Sequence, residues 1–368
     1  VRKFLENFSP EEVVLIGRPV KRSNAVKGYS IHYRTFRLPT PSVGARGERL
    51  WRLLGAFLGV LVGIRVIRSE RLDAIVAFYR DESSLLTGYL LHKITGKPFY
   101  PYFCDLYLEN YPKGVYHHLA KLLQPRVFQS ATRVFVLTEA MKEWYQSAYG
   151  VDAVVLPHCV NEPATLINQT NGHTDGNGKM RIAHLGSVND DRIPSLRVLC
   201  EAIQGDERYE LTYFTSQSPE YLQEVGIAPA NSTTRFIPDD GQLREELENC
   251  DILFLPATVS ALQQHREAQV VTGFPTKAIE YLSVQKPILV HSESKYFVAR
   301  FFRERACGYV VEGDAGRLRQ ALRDIGTDAV LRANLAKKAY SATAYFSGAT
   351  IARRFREVLA HAKGSKRG

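Results

Sequence analysis

The sequence predicts an α/β protein of two domains, each built on an open parallel sheet. Three observations lead there. Short apolar runs alternate with longer helical patterns almost from end to end, the β-α-β-α rhythm of a doubly wound sheet. That rhythm breaks once, at "NEPATLINQTNGHTDGNGKM" (161–180), where Asn, Gly and Thr replace any sustained apolar period. The 368 residues also exceed what one hydrophobic core usually serves. The expected organisation is a domain at 1–160, a linker at 161–180, a second domain at 181–345 and a last helix at 346–368.

The elements follow in order. Val13 to Ile16 reads as a short strand, and "LDAIVAFY" (72–79) as a buried one. "SSLLTGYLLHKITG" (83–96) has helical spacing and stops at Gly96, a residue type on which helices end. "KPFYPYFCD" (97–105) is the next strand, and a helix runs from about Val115 to Ser130. "TRVFVLT" (132–138), "EAMKEWYQSAYG" (139–150) and "VDAVVLPH" (151–158) read as strand, helix and strand. After the break, strands are expected at 181–187, 209–216, 233–238, 251–257 and 309–313, with helices between. "GFPTKAIEYLSVQKPILVH" (273–291) supplies one further helix and strand, and three helical patterns finish the chain.

Composition is that of a folded protein, 45% hydrophobic and 23% charged. The formal charge of +10 points to anionic partners without choosing among them. The five cysteines are scattered and never form a C-x-x-C pair, so neither a disulfide framework nor a zinc site is expected, and a reducing compartment is. The longest uncharged apolar run, Leu53 to Ile64, is too short to span a bilayer. It lies among arginines and carries Gly55, Gly59 and Gly63 four apart. Two readings stay open: a helix buried against a sheet, or one lying in an anionic membrane surface.

In open sheets of this kind the residues just after strands line the ligand-binding edge. Gly273, Phe274, Pro275 and Thr276 lead into a helix, with Pro275 expected as its first residue because its missing N–H is unneeded there. The first amides and the positive dipole end suit a phosphate. Lys277 adds charge, and Glu280, three residues on, lies on the same side, where a carboxylate can accept from the paired hydroxyls of a ribose. The plainer alternative is a solvated Lys277–Glu280 pair. Gly186 and Ser187 end the first strand of the second domain, and Arg192 opens the next helix. A guanidinium can donate twice to a diphosphate, or pair with Asp190 and Asp191. The backbone at Phe236, Ile237 and Pro238 suits the edge of a base. In the first domain Asp105 and Glu109 follow a strand; a carboxylate there can bind or deprotonate an acceptor hydroxyl, while Asp105 can equally cap a helix. His117, His118 and His158 are further candidates, and no metal site is evident.

"FPTKAIEYLSVQKPIL" resembles the P-[ST]-K-x-x-E-Y-L-x-x-x-K-P block of glycosyltransferase family 4, retaining enzymes of GT-B fold. "VFVLTEAMKEWYQSAYGVDAVVLPHCVN", "IAHLGSV" and "LREELENCDILFLPA" are similar to further family segments in the same order, so that the resemblance runs from about Leu72 to the C-terminus. It implies two Rossmann-like domains with parallel sheets facing across a cleft, and a nucleotide-sugar donor held mainly by the second. Glu280 would take the ribose, and Arg192 and Lys277 with the helix amides the diphosphate. Phe236 to Pro238 would contact the base. It implies no bound metal, no cofactor beyond the donor substrate, and a leaving diphosphate that helps deprotonate the acceptor. The last helix would pack back across the first domain. There are departures: Thr272 stands where the family has a second glutamate, and Ser187 where it often has arginine. The family's first strand and glycine-containing loop have no counterpart ahead of Val1.

The expected function is transfer of a sugar to a saccharide or lipid-linked saccharide in cell-envelope or surface polysaccharide synthesis, in the cytoplasm at the inner face of the plasma membrane. Two alternatives are a nucleotide-sugar epimerase of the same architecture and a non-catalytic basic binder of membrane or nucleic acid. Nucleic acid is disfavoured, since Lys and Arg are spread over the whole chain and no recognition motif appears.

Overall fold

The computed structural model describes residues 2–17, 34–37, 48–79, 81–111, 113–160, 178–257 and 267–364. The chain divides into two compact units, Val1–Asn161 with Gly348–Gly368, and Glu162–Ser347.

The first unit runs α1 (Arg2–Leu5), β1 (Val14–Gly17), β2 (Arg34–Arg37), α2 (Glu48–Ser69), β3 (Ile75–Tyr79), α3 (Glu82–Thr95), β4 (Phe99–Phe103), α4 (Val115–Ser130), β5 (Val134–Val136), α5 (Glu139–Tyr149) and β6 (Ala153–Val155). Its main sheet is parallel, in the order β3-β4-β5-β6. Local signals set the helix ends. Asp81 accepts from the Ser84 amide (3.0 Å) to open α3, and Gly96 closes it at φ 66°. Thr138 accepts from the Met141 amide (3.0 Å) and Gly150 closes α5, also at φ 66°. Every residue of β4 is buried, as suits a strand covered on both faces. The last helix of the chain, α14 (Gly348–Gly364), belongs to this unit. Its Phe355 packs on Phe4, Phe8 and Phe135 at centroid distances of 5.3, 5.6 and 5.3 Å, and Arg356 forks onto Glu12 (2.9 and 3.0 Å).

The strand expected at 13–16 is β1, which pairs in parallel with β2 as a separate two-stranded sheet. β2 reads Arg-Thr-Phe-Arg, so no apolar run announces it. The apolar run at 53–64 lies in α2, which packs on α3 and β1. Gly63 permits the close approach to α3, since a Cβ there would stand 2.6 Å from Leu91 Cδ1, whereas one on Gly55 would meet nothing.

The second unit runs β7 (Met180–Leu185), α6 (Ile193–Ile203), β8 (Tyr209–Phe214), α7 (Pro219–Glu224), β9 (Ser232–Arg235), α8 (Asp240–Glu248) and β10 (Ile252–Ala257). It continues through α9 (Glu267–Thr272), α10 (Thr276–Val284), β11 (Ile288–Ser292), α11 (Phe297–Glu304), β12 (Tyr309–Val311), α12 (Ala315–Thr327) and α13 (Ala329–Ala342). All six strands are parallel, in the order β12-β11-β10-β7-β8-β9. The chain thus steps outward from β7 to β9, returns to the middle, and steps outward the other way from β10. The order reverses between β7 and β10, the place where a doubly wound sheet opens a crevice at its carboxyl edge. The ladder shows the opening: β7 pairs with β8 over its whole length, but with β10 only at Ile182↔Ile252 and Ala183↔Leu253.

Two local expectations shift. α10 begins at Thr276, with Pro275 in the cap position at φ −63°, ψ 130°, because only its φ and not its ψ is helical. The six-residue helix α9 was not foreseen, being too short to show a period of its own.

Candidate functional site

Two cations converge at the point where the strand order reverses. Gly186 ends β7 at φ 109°, and its amide donates to Phe214 O (2.9 Å). A Cβ on this residue would stand 2.7 Å from Lys277 Cε and 3.4 Å from Arg192 Nη1, so the backbone angle demands glycine and a side chain here would displace the lysine stem. Arg192 stands at the N-cap position of α6 without a capping side-chain bond, and donates from Nη1 to Ser187 O (2.8 Å). Burial draws its pKa down from the usual arginine value, while Tyr281 and Asp191 act the other way. Pro275 has no side chain to cap α10, and the first bond of that helix is made by the Ala278 amide to Pro275 O (3.0 Å). The amides of Thr276 and Lys277 precede it, at the positive end of the helix.

Three buried groups lie behind this arrangement. Where β7 and β10 part, the Tyr281 hydroxyl bridges them: it accepts from the Leu185 amide (2.7 Å) and donates to Phe254 O (3.2 Å). Tyr281 lies four residues beyond Lys277, so the helix that presents the lysine is pinned to both strands. His184 is buried on β7; burial first, then Arg192 and Lys277, push its pKa down to about 3, although the Phe254 carbonyl favours its charged form. The cationic corner therefore carries a neutral imidazole beside it. Behind α6, His291 Nε2 faces Gly313 O at 2.9 Å and must carry the proton, leaving Nδ1 to accept from Ser195 Oγ (2.6 Å). Both side chains are buried, and Ser195 lies in the turn of α6 that follows Arg192. Sequence reasoning missed all three. Only Tyr281 left a signal there, its four-residue spacing from Lys277 on one helix face.

The remaining predicted residues sort as follows. Glu280 is half-exposed, with Oε2 3.8 Å from Lys277 Nζ, too long for a hydrogen bond and at the limit of an ion pair. Ser187 is exposed beside Arg192. Gly273 turns the chain from α9 to α10, where a Cβ would stand 2.6 Å from Gln269 O. The Phe274 ring packs against Phe301 and Phe346 (4.7 and 5.3 Å), which leaves only its backbone for a ligand. Thr272 is buried and donates to Ala268 O (2.8 Å). Phe236, Ile237 and Pro238 follow β9, with the Phe236 side chain 65% exposed. Asp239 accepts from the Gln242 amide (2.9 Å) and caps α8.

In the first unit Asp105 is exposed beyond β4. The cap position before the following 3-10 turn (Leu108–Asn110) is Tyr107, so Asp105 does not cap it. Glu109 accepts from Trp144 Nε1 (2.9 Å) and Tyr149 Oη (2.6 Å), which ties it to α5. His117 Nδ1 lies 2.7 Å from Tyr111 O, His118 is exposed, and burial pushes His158 down to about 4. All five cysteines are free, and among the described residues no three His, Cys, Asp or Glu side chains converge as a metal-binding group.

No protein-family model matches the chain, and no curated protein sequence does. Solved structures do. A sucrose-phosphate synthase from Thermosynechococcus elongatus superposes with a TM-score of 0.69 at 15% identity, over 95% of this chain and 88% of that one. A glycosyltransferase from Rickettsia africae gives 0.64 at 14%, over 95% and 98%. HepE of Anabaena, in complex with UDP and glucose, gives 0.62 at 14%, over 90% and 87%. The chain has the GT-B fold. At these identities the likeness is one of fold, and the site of this GT-B chain rests on its own geometry. That geometry is a cationic corner of Gly186, Arg192 and Lys277 at a helix N-terminus, on the carboxyl edge of a doubly wound sheet. It can bind a polyanion and stabilise negative charge that grows on it.

Proposed function

We propose that this chain is a retaining, metal-independent glycosyltransferase of family 4 type. It would move a hexose from a nucleoside-diphosphate sugar to the hydroxyl of a saccharide or lipid-linked saccharide. The observation that carries this reading is the convergence of Lys277 and Arg192 over Gly186. Bond breaking at the anomeric carbon leaves the electron pair on a phosphate oxygen, so cations and amides already in place lower the barrier. Arg192, Lys277 and the first amides of α10 would hold the diphosphate. Gly186 and Ser187 would let it approach the backbone, and Gly273 to Thr276 would shape the turn below. Glu280 would accept from the ribose hydroxyls, and Phe236 to Pro238 would meet the base. The leaving phosphate would take the acceptor proton, with Asp105 orienting that hydroxyl. The HepE neighbour was solved with UDP and glucose, which makes uridine the first base to try. Such an acceptor would put the work in cell-envelope or surface polysaccharide synthesis, and the chain in the cytoplasm at the inner face of the plasma membrane.

The test is a thermal-shift screen of UDP, GDP, ADP and CMP with their sugars, repeated on Glu280→Ala. One nucleotide should raise the melting temperature of the native protein by mass action and lose its effect in the variant. A folded protein that answers to none of them overturns the donor reading. Interconversion of free nucleotide sugars without acceptor would identify an epimerase instead.

A further inference from the structure

The outer face of α2 carries a stripe that folding leaves uncovered. Leu54, Phe57 and Leu61 are 43%, 59% and 66% exposed, at the three- and four-residue spacing of one helix face. Arg65 and Arg68 continue the same stripe, both exposed. The opposite face is buried through Ala56, Val60, Val66 and Ile67, which anchors the helix on that side. Three large apolar side chains in water, followed by two arginines, are a poor solvent face and a good interfacial one: the apolar groups enter the acyl boundary and the guanidinium groups meet headgroup phosphates. No described helix is long and apolar enough to cross a membrane.

We propose that α2 docks this protein on an anionic lipid surface, with Leu54, Phe57 and Leu61 inserted and Arg65 and Arg68 on the headgroups. The apolar row running into two exposed arginines matches the acyl-to-headgroup boundary of a lipid surface, and the net charge of +10 adds long-range attraction to a negative one. The docking deepens the membrane part of the function proposed above and is independent of the donor chemistry.

Flotation with vesicles of phosphatidylcholine, pure or mixed with phosphatidylglycerol, tests it on the full chain. Binding should be confined to the mixed vesicles and weaken with salt. Arg65→Glu/Arg68→Glu should weaken it by about fivefold or more per arginine. Phe57→Ser/Leu61→Ser should abolish it while any nucleotide shift stays unchanged and the melting temperature moves little, since both residues are more than half exposed. Equal binding to neutral vesicles, no binding at all, or binding that survives Phe57→Ser/Leu61→Ser overturns the proposal. So does a concentration-dependent dimer, seen by light scattering, that this variant dissolves, because the face would then belong to a second copy. Nucleotide shifts on the same samples separate this failure from that of the donor reading.

Discussion

The stem of Lys277 lies directly over Gly186, so close that a methyl group on the glycine would stand 2.7 Å from Lys277 Cε. The second unit thus brings together two residues separated by about half of its sequence. Gly186→Ala should displace the lysine and strain a backbone at φ 109°. The expected loss is about 1–3 kcal/mol in urea unfolding, together with a marked loss of nucleotide binding. A variant that keeps both would mean that the lysine's position is incidental.

Lys277 and Glu280 sit 3.8 Å apart but should serve different parts of a donor. Lys277→Ala should weaken a nucleoside diphosphate and inorganic pyrophosphate alike, by roughly ten- to hundredfold, the worth of one charge-assisted hydrogen bond. Glu280→Ala should weaken only the nucleotide. Calorimetric titration of both ligands into both variants reads this directly, and parallel losses in Glu280→Ala would return the pair to the role of a solvated ion pair.

Tyr281→Phe removes the hydroxyl that bridges Leu185 and Phe254 and leaves a buried amide and a buried carbonyl short of a partner. Stability should fall by about 1–3 kcal/mol, as a lower urea midpoint at unchanged slope. Because the strands part at this point, nucleotide affinity should fall with it. A neutral Tyr281→Phe would show that water satisfies both groups.

Acid should act through His184. Its pKa is held at about 3 by burial, Arg192 and Lys277, against an ordinary value of 6.5. The unfolded chain therefore binds a proton that the folded one refuses. This group leaves stability untouched above pH 6.5 and erodes it as pH falls from there toward 3, by about 1.4 kcal/mol per unit. His158, at about 4, adds the same trend in the first unit. His184→Gln should flatten the decline of the urea midpoint between pH 6.5 and 4, and an unchanged slope would locate the acid sensitivity elsewhere.

Much of this was legible along the chain. Most strands from 72 onward show as short apolar runs, β9 (Ser-Thr-Thr-Arg) excepted, and the helix stops at Gly96 and Gly150 lie where the chain takes φ 66°. Lys277 and Glu280 could be paired from sequence because three residues on a helix is a fixed distance. β2 was not legible, since its Arg-Thr-Phe-Arg carries no apolar run and only its pairing with β1 makes it a strand. Nor was the outer stripe of α2, because a run such as Leu53 to Ile64 does not say which of its residues a neighbouring helix will cover.

By itself the sequence determined the parallel α/β architecture and a helix start bearing a lysine and a carboxylate. These depend on periods and spacings of a few residues, and local geometry converts such spacings into faces and turns. The tertiary structure alone decided that Lys277 and Arg192 meet over Gly186, that Tyr281 joins Leu185 to Phe254, and that His291 holds Ser195 behind α6. The partners of Tyr281 lie 96 and 27 residues from it, and Ser195 lies 96 from His291. No local pattern reaches that far; the strand order does, by returning the chain to the centre of the sheet between β9 and β10 and laying distant segments side by side.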